Sequence, residues 1–378
     1  MTSSNYSTRQ LTLEDSVDWS ETIDSIKDVD FFYLPEYLAL FEHMETGTKE
    51  DSFCGKAHLF IIGDDEDFIV HPFLLRDLGW TRYQNKSLYG DRASYDVVSP
   101  YGYAGPQAKS GNSSASEELW KAFYDAFHKY CLKNGIVTEF TRMHPFTQNS
   151  SRAPSEFLRE SGFVVYLDLE QSVSEIWESF EQRCRRSIRK AGKQGIKIHS
   201  AKKSEDIDSF KRVYDSTMSS HHASKCYFFP LSFYSGLARM KGSALFTATI
   251  DDRVVSAGWF VSCGKFSHYF LGGSDPEHRN LGSNSAIMFE AIKWAKSMGC
   301  KRFCLGGGYQ GSESLLKFKM SFSGKTTAFQ TFRRVHDQER YHTICRTMNI
   351  DFGAGEYFPA YRDLTQIKPE TDTISAAR

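Results

Sequence analysis

The chain lacks most of the patterns that settle a protein's chemistry on sight. Its eight cysteines show no CxxC pair and no zinc-ligand spacing, which argues against a zinc module or a disulfide framework and for reduced thiols in a cytoplasm. No leader-like opening is visible, and apolar runs such as HLFII and AGWFV are far too short to span a bilayer. An excess of one charge is missing as well, since 46 Lys and Arg face 47 Asp and Glu for a formal net charge of -1. No global field gathers polyanions, and DNA is not an expected partner; any polyanion contact must come from local clustering.

What is present is ordinary globular composition, 40% hydrophobic and 25% charged over 378 residues, enough for two domains. Residues 1–30 are polar and are expected to fray or to lie on the surface. FFYLPEYLALFEHM then places aromatics and leucines at helical spacing after Pro35. Residues 58–62 and 67–75 read as neighbouring strands about the acidic turn GDDED. A glycine- and aromatic-rich loop follows a short strand in 95–106, and its Tyr101 and Tyr103 are candidate pocket walls, against the plainer reading that aromatics this abundant are core. Residues 117–134 form an amphipathic pattern with Leu119, Phe123, Phe127 and Cys131 on one stripe, closed by Gly135. A strand over 136–141 comes next, with His144-Pro145 past its end.

A second cycle of the same kind begins near Phe163, with a strand over 164–169, one helix over 173–192 and a strand over 196–200. A helix over 204–219 is expected to be capped by Ser204. A helix over 231–240, strands over 244–250, 254–263 and 266–272, a helix over 284–298 and a strand over 302–305 complete the cycle. The fold class is therefore mixed α/β in two units, residues 31–160 and 161–350, linked near QNSSRAPSE and followed by a tail over 351–378. No short-period repeat is visible, but the shared element order hints at a duplicated fold.

The segment 305–322, LGGGYQGSESLLKFKMSF, is where chemistry is expected. A strand runs into Gly306, Gly307 and Gly308, then a polar turn, then a short helix carrying Lys317, Phe318 and Lys319. Backbone without Cβ atoms beside lysines lets a ligand approach and meets negative charge; the alternative is a glycine-rich turn with exposed lysines. Tyr227 and Tyr269 join the candidate wall residues, and Cys226, without a matched His and acid pattern, reads as a buried thiol. Arg183, Arg186, Lys190 and Lys193 fall at i, i+3, i+7 and i+10, on one helix face, and Arg185, Arg189, Lys197, Lys202 and Lys203 thicken the patch. In a neutral chain this is either a polyanion footprint or a solvated surface helix.

The second unit, with its strands over 254–272, the turn DPEHRNLGSN, a long helix and the strand KRFCLGG, resembles the core of the GNAT acyltransferase fold. In that family an Arg/Gln-x-x-Gly-x-Gly/Ala loop offers backbone N–H groups to the pyrophosphate of coenzyme A. Arg279 and Gly282 match the loop, and Asn284 stands where a small residue belongs. Over roughly residues 30–345 the ordered blocks WESFEQRCRRSIRKAGKQGIKI, KCYFFPLSFYSGL, HYFLGGS and GGG…LLKFKMSF resemble the Fem-type peptidoglycan-bridge transferases and their polysaccharide-locus relatives. Those proteins consist of two tandem GNAT-like units and move an amino acid from aminoacyl-tRNA onto an amine. The resemblance implies that Lys319 of the FK pair stabilises the reacting centre, with Phe318 packed beneath it. Where the family places an acid before a proline, this chain has His144-Pro145; that histidine is a base working near neutral pH or a hydrogen-bonded structural residue. Phe41 or a neighbour stands where the bridge enzymes carry a lysine for the uridine diphosphate of the cell-wall precursor, which weakens that acceptor.

Three readings follow. The first is an aminoacyl-tRNA-dependent transferase forming an amide on a sugar, peptide or small amine, with charged tRNA as partner. The second is an acyl-CoA N-acyltransferase acting on an amino sugar or nucleotide sugar. The third is a GNAT-like module that binds tRNA or a glycan without chemistry. None requires a tightly bound cofactor, and no metal site is visible.

Overall fold

The computed structural model describes residues 6–44, 53–84 (82–84 in backbone only), 93–109, 115–201, 203–307, 313–351, 357–363 and 366. The first unit contains β1 (Ser7–Thr12), α1 (Ser16–Asp24), α2 (Pro35–Glu42), β2 (Lys56–Gly63), β3 (Phe68–Asp77), β4 (Tyr95–Val98), β5 (Gln107–Lys109), α3 (Glu117–Lys133) and β6 (Ile136–Arg142). A long strand β7 (Leu158–Asp168) leads on to α4 (Val173–Ser179), α5 (Gln182–Lys193), β8 (Lys197–Ala201), α6 (Ser204–Ser220) and α7 (Leu231–Arg239). The chain continues through β9 (Ser243–Ile250), β10 (Arg253–Cys263), β11 (Phe266–Ser274), α8 (Ser283–Ser297), β12 (Arg302–Gly306), α9 (Glu313–Met320), β13 (Thr326–Val335) and α10 (Gln338–Thr347).

Local chemistry accounts for the elements that carry the site. The Ser116 side chain accepts the N–H of Leu119 at the start of α3, whose stripe of Leu119, Phe123, Phe127 and Cys131 is buried. The β2–β3 turn is closed by Asp64, whose Oδ1 accepts the N–H groups of Glu66 and Asp67.

All strands except β5, which pairs with β3, lie on one path: β1-β2-β3-β4-β6-β13-β7-β12-β11-β10-β9-β8. The order is a near palindrome of two five-strand sets. In each set one pair is parallel, β4 with β6 and β11 with β12, and the chain crosses between its members through α3 or α8. The two central strands are exchanged. β7 follows β6 in the chain yet pairs with β12, whereas β13 follows β12 yet pairs with β6, and the two pair with each other. The sheet therefore runs unbroken across residue 160. After β13 the chain stays with the first unit, where Tyr361 meets Thr138 and Arg362 binds Asp96.

Three local expectations need correction. The opening segment is no loose end, since β1 pairs with β2 from Ser7↔Gly63 to Thr12↔His58 and α1 buries Trp19 and Ile23. The helix expected over 173–192 is two helices, because Phe180 and Glu181 are extended and the Glu181 N–H bonds the Ser321 carbonyl instead of continuing a helix. The cap of α6 is Lys203, not Ser204, with the Asp206 carboxylate accepting the Lys203 N–H at 3.1 Å. Among the described residues no helix is long and apolar enough to cross a membrane.

One core cluster joins the units. It packs Phe31, Tyr37 and Phe41 of the first unit with Phe233, Tyr234, Trp259 and Phe270 of the second. Each such ring removes enough apolar surface from water to contribute about 2–3 kcal/mol.

Candidate active site

β11 and β12 are parallel neighbours with His268 opposite Cys304. β12 ends at Gly306, which has a φ of +75° and whose Cβ, if it had one, would stand 3.2 Å from the Lys319 ammonium. Glycine suits both conditions. Lys319 comes from α9, is 7% exposed, and donates from Nζ to the Gly307 carbonyl at 2.6 Å. Burial pushes its pKa down to about 8, with the neighbouring Cys304 opposing the shift. Phe318 lies edge-on to Phe322 with ring centroids 5.3 Å apart, which holds α9 against the second core cluster. A cation of this kind, at the end of a parallel strand pair and beside Cβ-free backbone, is placed to meet an oxyanion.

Behind it lies a buried polar network that sequence reasoning missed. Asp30, fully buried, accepts three hydrogen bonds: from His144 Nε2 at 2.8 Å, from His268 Nε2 at 2.6 Å and from the Phe31 N–H at 2.7 Å. Burial alone pushes the Asp30 carboxyl up, but the two imidazoles, His268 foremost, hold it well below the usual carboxylate range. Burial likewise lowers His268, and the Asp30 charge overrides it, so that this imidazole is raised to about 10. The Tyr103 ring stands 5.8 Å from the His268 ring. No sequence signal ties Asp30 to His268; the HYFLGGS block contains the histidine without marking it.

His144 has neither nitrogen to spare. Its Nδ1 accepts the N–H groups of Phe146 and Thr147 at 3.1 and 3.2 Å, so its proton sits on Nε2 and is donated to Asp30. Burial also lowers its pKa against the pull of Asp30. Of the two roles the sequence leaves open for His144, the geometry fits the hydrogen-bonded structural one, as a positioning residue for Asp30, and not that of a base. The same hydrogen bonds bear on metal binding. Asp30, His144 and His268 lie close enough to surround an ion, but His144 could ligate through Nε2 only after losing a proton that its two backbone donors prevent from moving to Nδ1. This donor set does not fit a metal.

Residues 178–319 match the family model described as an acetyltransferase (GNAT) domain. That stretch of the second unit is similar to a GNAT acyltransferase domain. Its fold is similar to that of FemX, at 13% identity and a TM-score of 0.62 over 89% of this chain and 99% of that one. It is also similar to the C-terminal DUF2156 domain assigned to a lysylphosphatidylglycerol synthetase from Agrobacterium fabrum, at 12% identity and 0.51 over 87% and 94%. A third likeness is to a conserved protein of unknown function from Bacteroides thetaiotaomicron VPI-5482, at 11% identity and 0.52 over 87% and 99%. These likenesses are of fold. No curated protein matches the chain in sequence.

Within the two units the remaining candidates fall into place unevenly. Tyr101 and Tyr227 meet edge-on with ring centroids 5.9 Å apart, and Tyr101 and Tyr103 pack against the same aromatic core. Tyr269 points elsewhere, stacked on Phe260 in the second cluster. Gly306 and Gly307 are at the site, while Gly308 and Lys202 lie outside the described residues. Arg183, Arg186, Arg189, Lys190 and Lys193 are exposed on α5, which contains no acidic residue. This helix is fastened to α9, since Arg183 donates to the Lys317 carbonyl at 2.9 Å. It is fastened also to the Arg279–Gly282 turn. Lys190 donates to the Asn280 carbonyl at 2.7 Å, and a Cβ on Gly282 would meet the Ser187 carbonyl oxygen at 2.2 Å. Arg279 itself turns away to Ser220.

Proposed function

We propose that the chain transfers an aminoacyl group from a charged tRNA to an amine on a small molecule, sugar or peptide. One observation carries this reading: the acid-free basic helix α5 is hydrogen-bonded to α9, the helix that holds the buried Lys319 cation. A phosphodiester chain lying along Arg186, Arg189 and Lys193 would thus have its ester end close to Lys319. In the reaction the acceptor nitrogen attacks the ester carbonyl carbon. The developing oxyanion is met by the Lys319 ammonium, the C–N bond forms as the C–O bond breaks, and the amine proton ends on the departing ribose oxygen. Preorganised charge of this kind contributes roughly a hundred- to a thousandfold in rate.

An acyl-CoA donor is the second reading, and the packing of the Arg279–Gly282 turn disfavours it. The Ser187 carbonyl oxygen presents partial negative charge against the loop on which a pyrophosphate would lie. The test is filter binding of charged tRNA against salt. Arg186→Gln with Lys193→Gln is expected to weaken binding and to flatten the log–log salt slope by about two. Binding whose salt slope the pair leaves unchanged contradicts the use of α5.

A further inference from the structure

A buried carboxylate of the first unit, apart from the Lys319 site, is also held by two histidines. Glu139 of β6 is buried, and Thr141 donates to its Oε1 at 3.3 Å. His71 of β3 places Nε2 3.2 Å from Oε1, and His336, the residue that follows β13, places Nε2 3.3 Å from Oε2. Burial alone pushes the Glu139 carboxyl up, but these two imidazoles bring it down to about 2. A carboxylate only accepts, so the Nε2 of His336 that faces it carries a hydrogen. The other nitrogen of His336, Nδ1, stands 2.9 Å from Nδ1 of His128, which is half-buried on α3. That is hydrogen-bond distance, with room for one proton between the two nitrogens. Two imidazoliums would point N–H at N–H, so the contact requires at least one of the pair to be neutral. The surroundings bear on that proton. Burial, Arg334 and His336 lower His128, and Asp125 on its own helix opposes them. Tyr124 and Cys131 of the same helix are raised by burial and by Glu139, with Arg334 opposing, and stay neutral at physiological pH.

We propose that His128 and His336 form a proton-operated clasp between α3 and the junction of β13 with α10, closed near neutral pH and released in mild acid. His336 is the fixed half. Its own N–H donates to the Val137 carbonyl at 2.8 Å, and its ring is buried against Glu139. His128, half-buried on the helix, is the half that turns to water when both rings are protonated. A histidine lowered in the folded state contributes its stability in full above its ordinary value of about 6.5 and loses it as pH falls below that value. Glu139 stays ionised throughout this range, so the clasp opens without protonation of the buried carboxylate.

The experiment is hydrogen–deuterium exchange of the full chain at about pH 7.5 and about pH 5, with rates corrected for the intrinsic effect of pH. Protection of residues 126–134 and 336–342 is expected to fall roughly tenfold at the lower pH, as one proton taken up on opening allows, while α8 keeps its protection. His128→Gln has no such proton to take up and should show no fall. If His128→Gln does not give the native circular dichroism spectrum at the higher pH, His128→Asn is read in its place, with the same expectation. Unchanged protection at the lower pH, a fall shared equally by α8, or a fall that persists in the variant would overturn the assignment. Because no acyl donor or acceptor is present, either result leaves the transfer reading to its own test.

Discussion

Asp30 and His268 lie 238 positions apart in the chain and share a hydrogen bond of 2.6 Å in the buried centre of the molecule. The bond joins the segment between α1 and α2 of the first unit to β11 of the second, beneath the strand pair that leads to Lys319. Asp30→Asn should leave the charged His268 without its counter-charge and the neutral His144 without its carboxylate acceptor, and cost about 3–5 kcal/mol, part of which His268→Gln in the same chain should restore. The sign with pH is fixed by both partners. His268 is raised from the ordinary value of about 6.5 to about 10, so its contribution is complete below the former and is lost as pH rises through the latter. Asp30 is depressed, so its contribution is present above the ordinary carboxylate range and lost as pH falls below it. Urea unfolding should show the widest gap between wild type and Asp30→Asn at about pH 4–6.5, and a clearly narrower one near pH 10.

Lys319 should affect rate and stability in opposite directions. With its pKa pushed down to about 8 by burial, activity that needs the ammonium should decline as pH rises through that value. Lys319→Met should remove this alkaline limb along with roughly a hundredfold or more of the rate. The folded protein bears the cost of a buried cation below pH 8 and is relieved of it as pH climbs towards the ordinary lysine value, so thermal unfolding of Lys319→Met at pH 7 should be unchanged or higher. A variant that loses rate by losing fold would show the contrary in the same scan.

Gly282 and Gly299 have nearly the same positive φ, +82° and +81°, but different surroundings. Gly299→Ala meets nothing within 4 Å and should cost about 1 kcal/mol from backbone strain alone. Gly282→Ala adds a collision with the Ser187 carbonyl and should cost about 2–3 kcal/mol more by displacing α5. Chemical denaturation of the two variants side by side measures the difference.

Arg362 tests whether the end of the chain belongs to the first unit. Arg362→Met leaves buried Asp96 with Arg76 as its remaining arginine partner and should destabilise by about 3–5 kcal/mol. A change under about 0.5 kcal/mol, the usual size at an exposed site, would show that residues 357–363 do not hold the first unit together.

Much of this architecture is legible in the chain. α3 announces itself by stripe and glycine stop, α8 by the glycine at its end, α5 by its charge, and the Gly306–Lys319 block by its composition. β1 and β13 are harder to read, because STRQLT and TTAFQTFRRV are polar-rich and alternate weakly, and β13 takes its place by pairing with strands contributed from far earlier in the chain. The break at Phe180–Glu181 is set by a hydrogen bond to Ser321 rather than by any glycine or proline. Asp30 looks like an ordinary polar residue before an aromatic run, and only the packed interface reveals the two histidines that define it.

The most direct measurement is transfer itself. The purified chain would be incubated with an amine-rich extract and either a mixture of radiolabelled aminoacyl-tRNAs or labelled acetyl-CoA, each beside Lys319→Met. The account predicts that label passes from one charged tRNA into amide linkage and that Lys319→Met abolishes the transfer. Label passing from acetyl-CoA alone, or transfer that survives Lys319→Met, would contradict it.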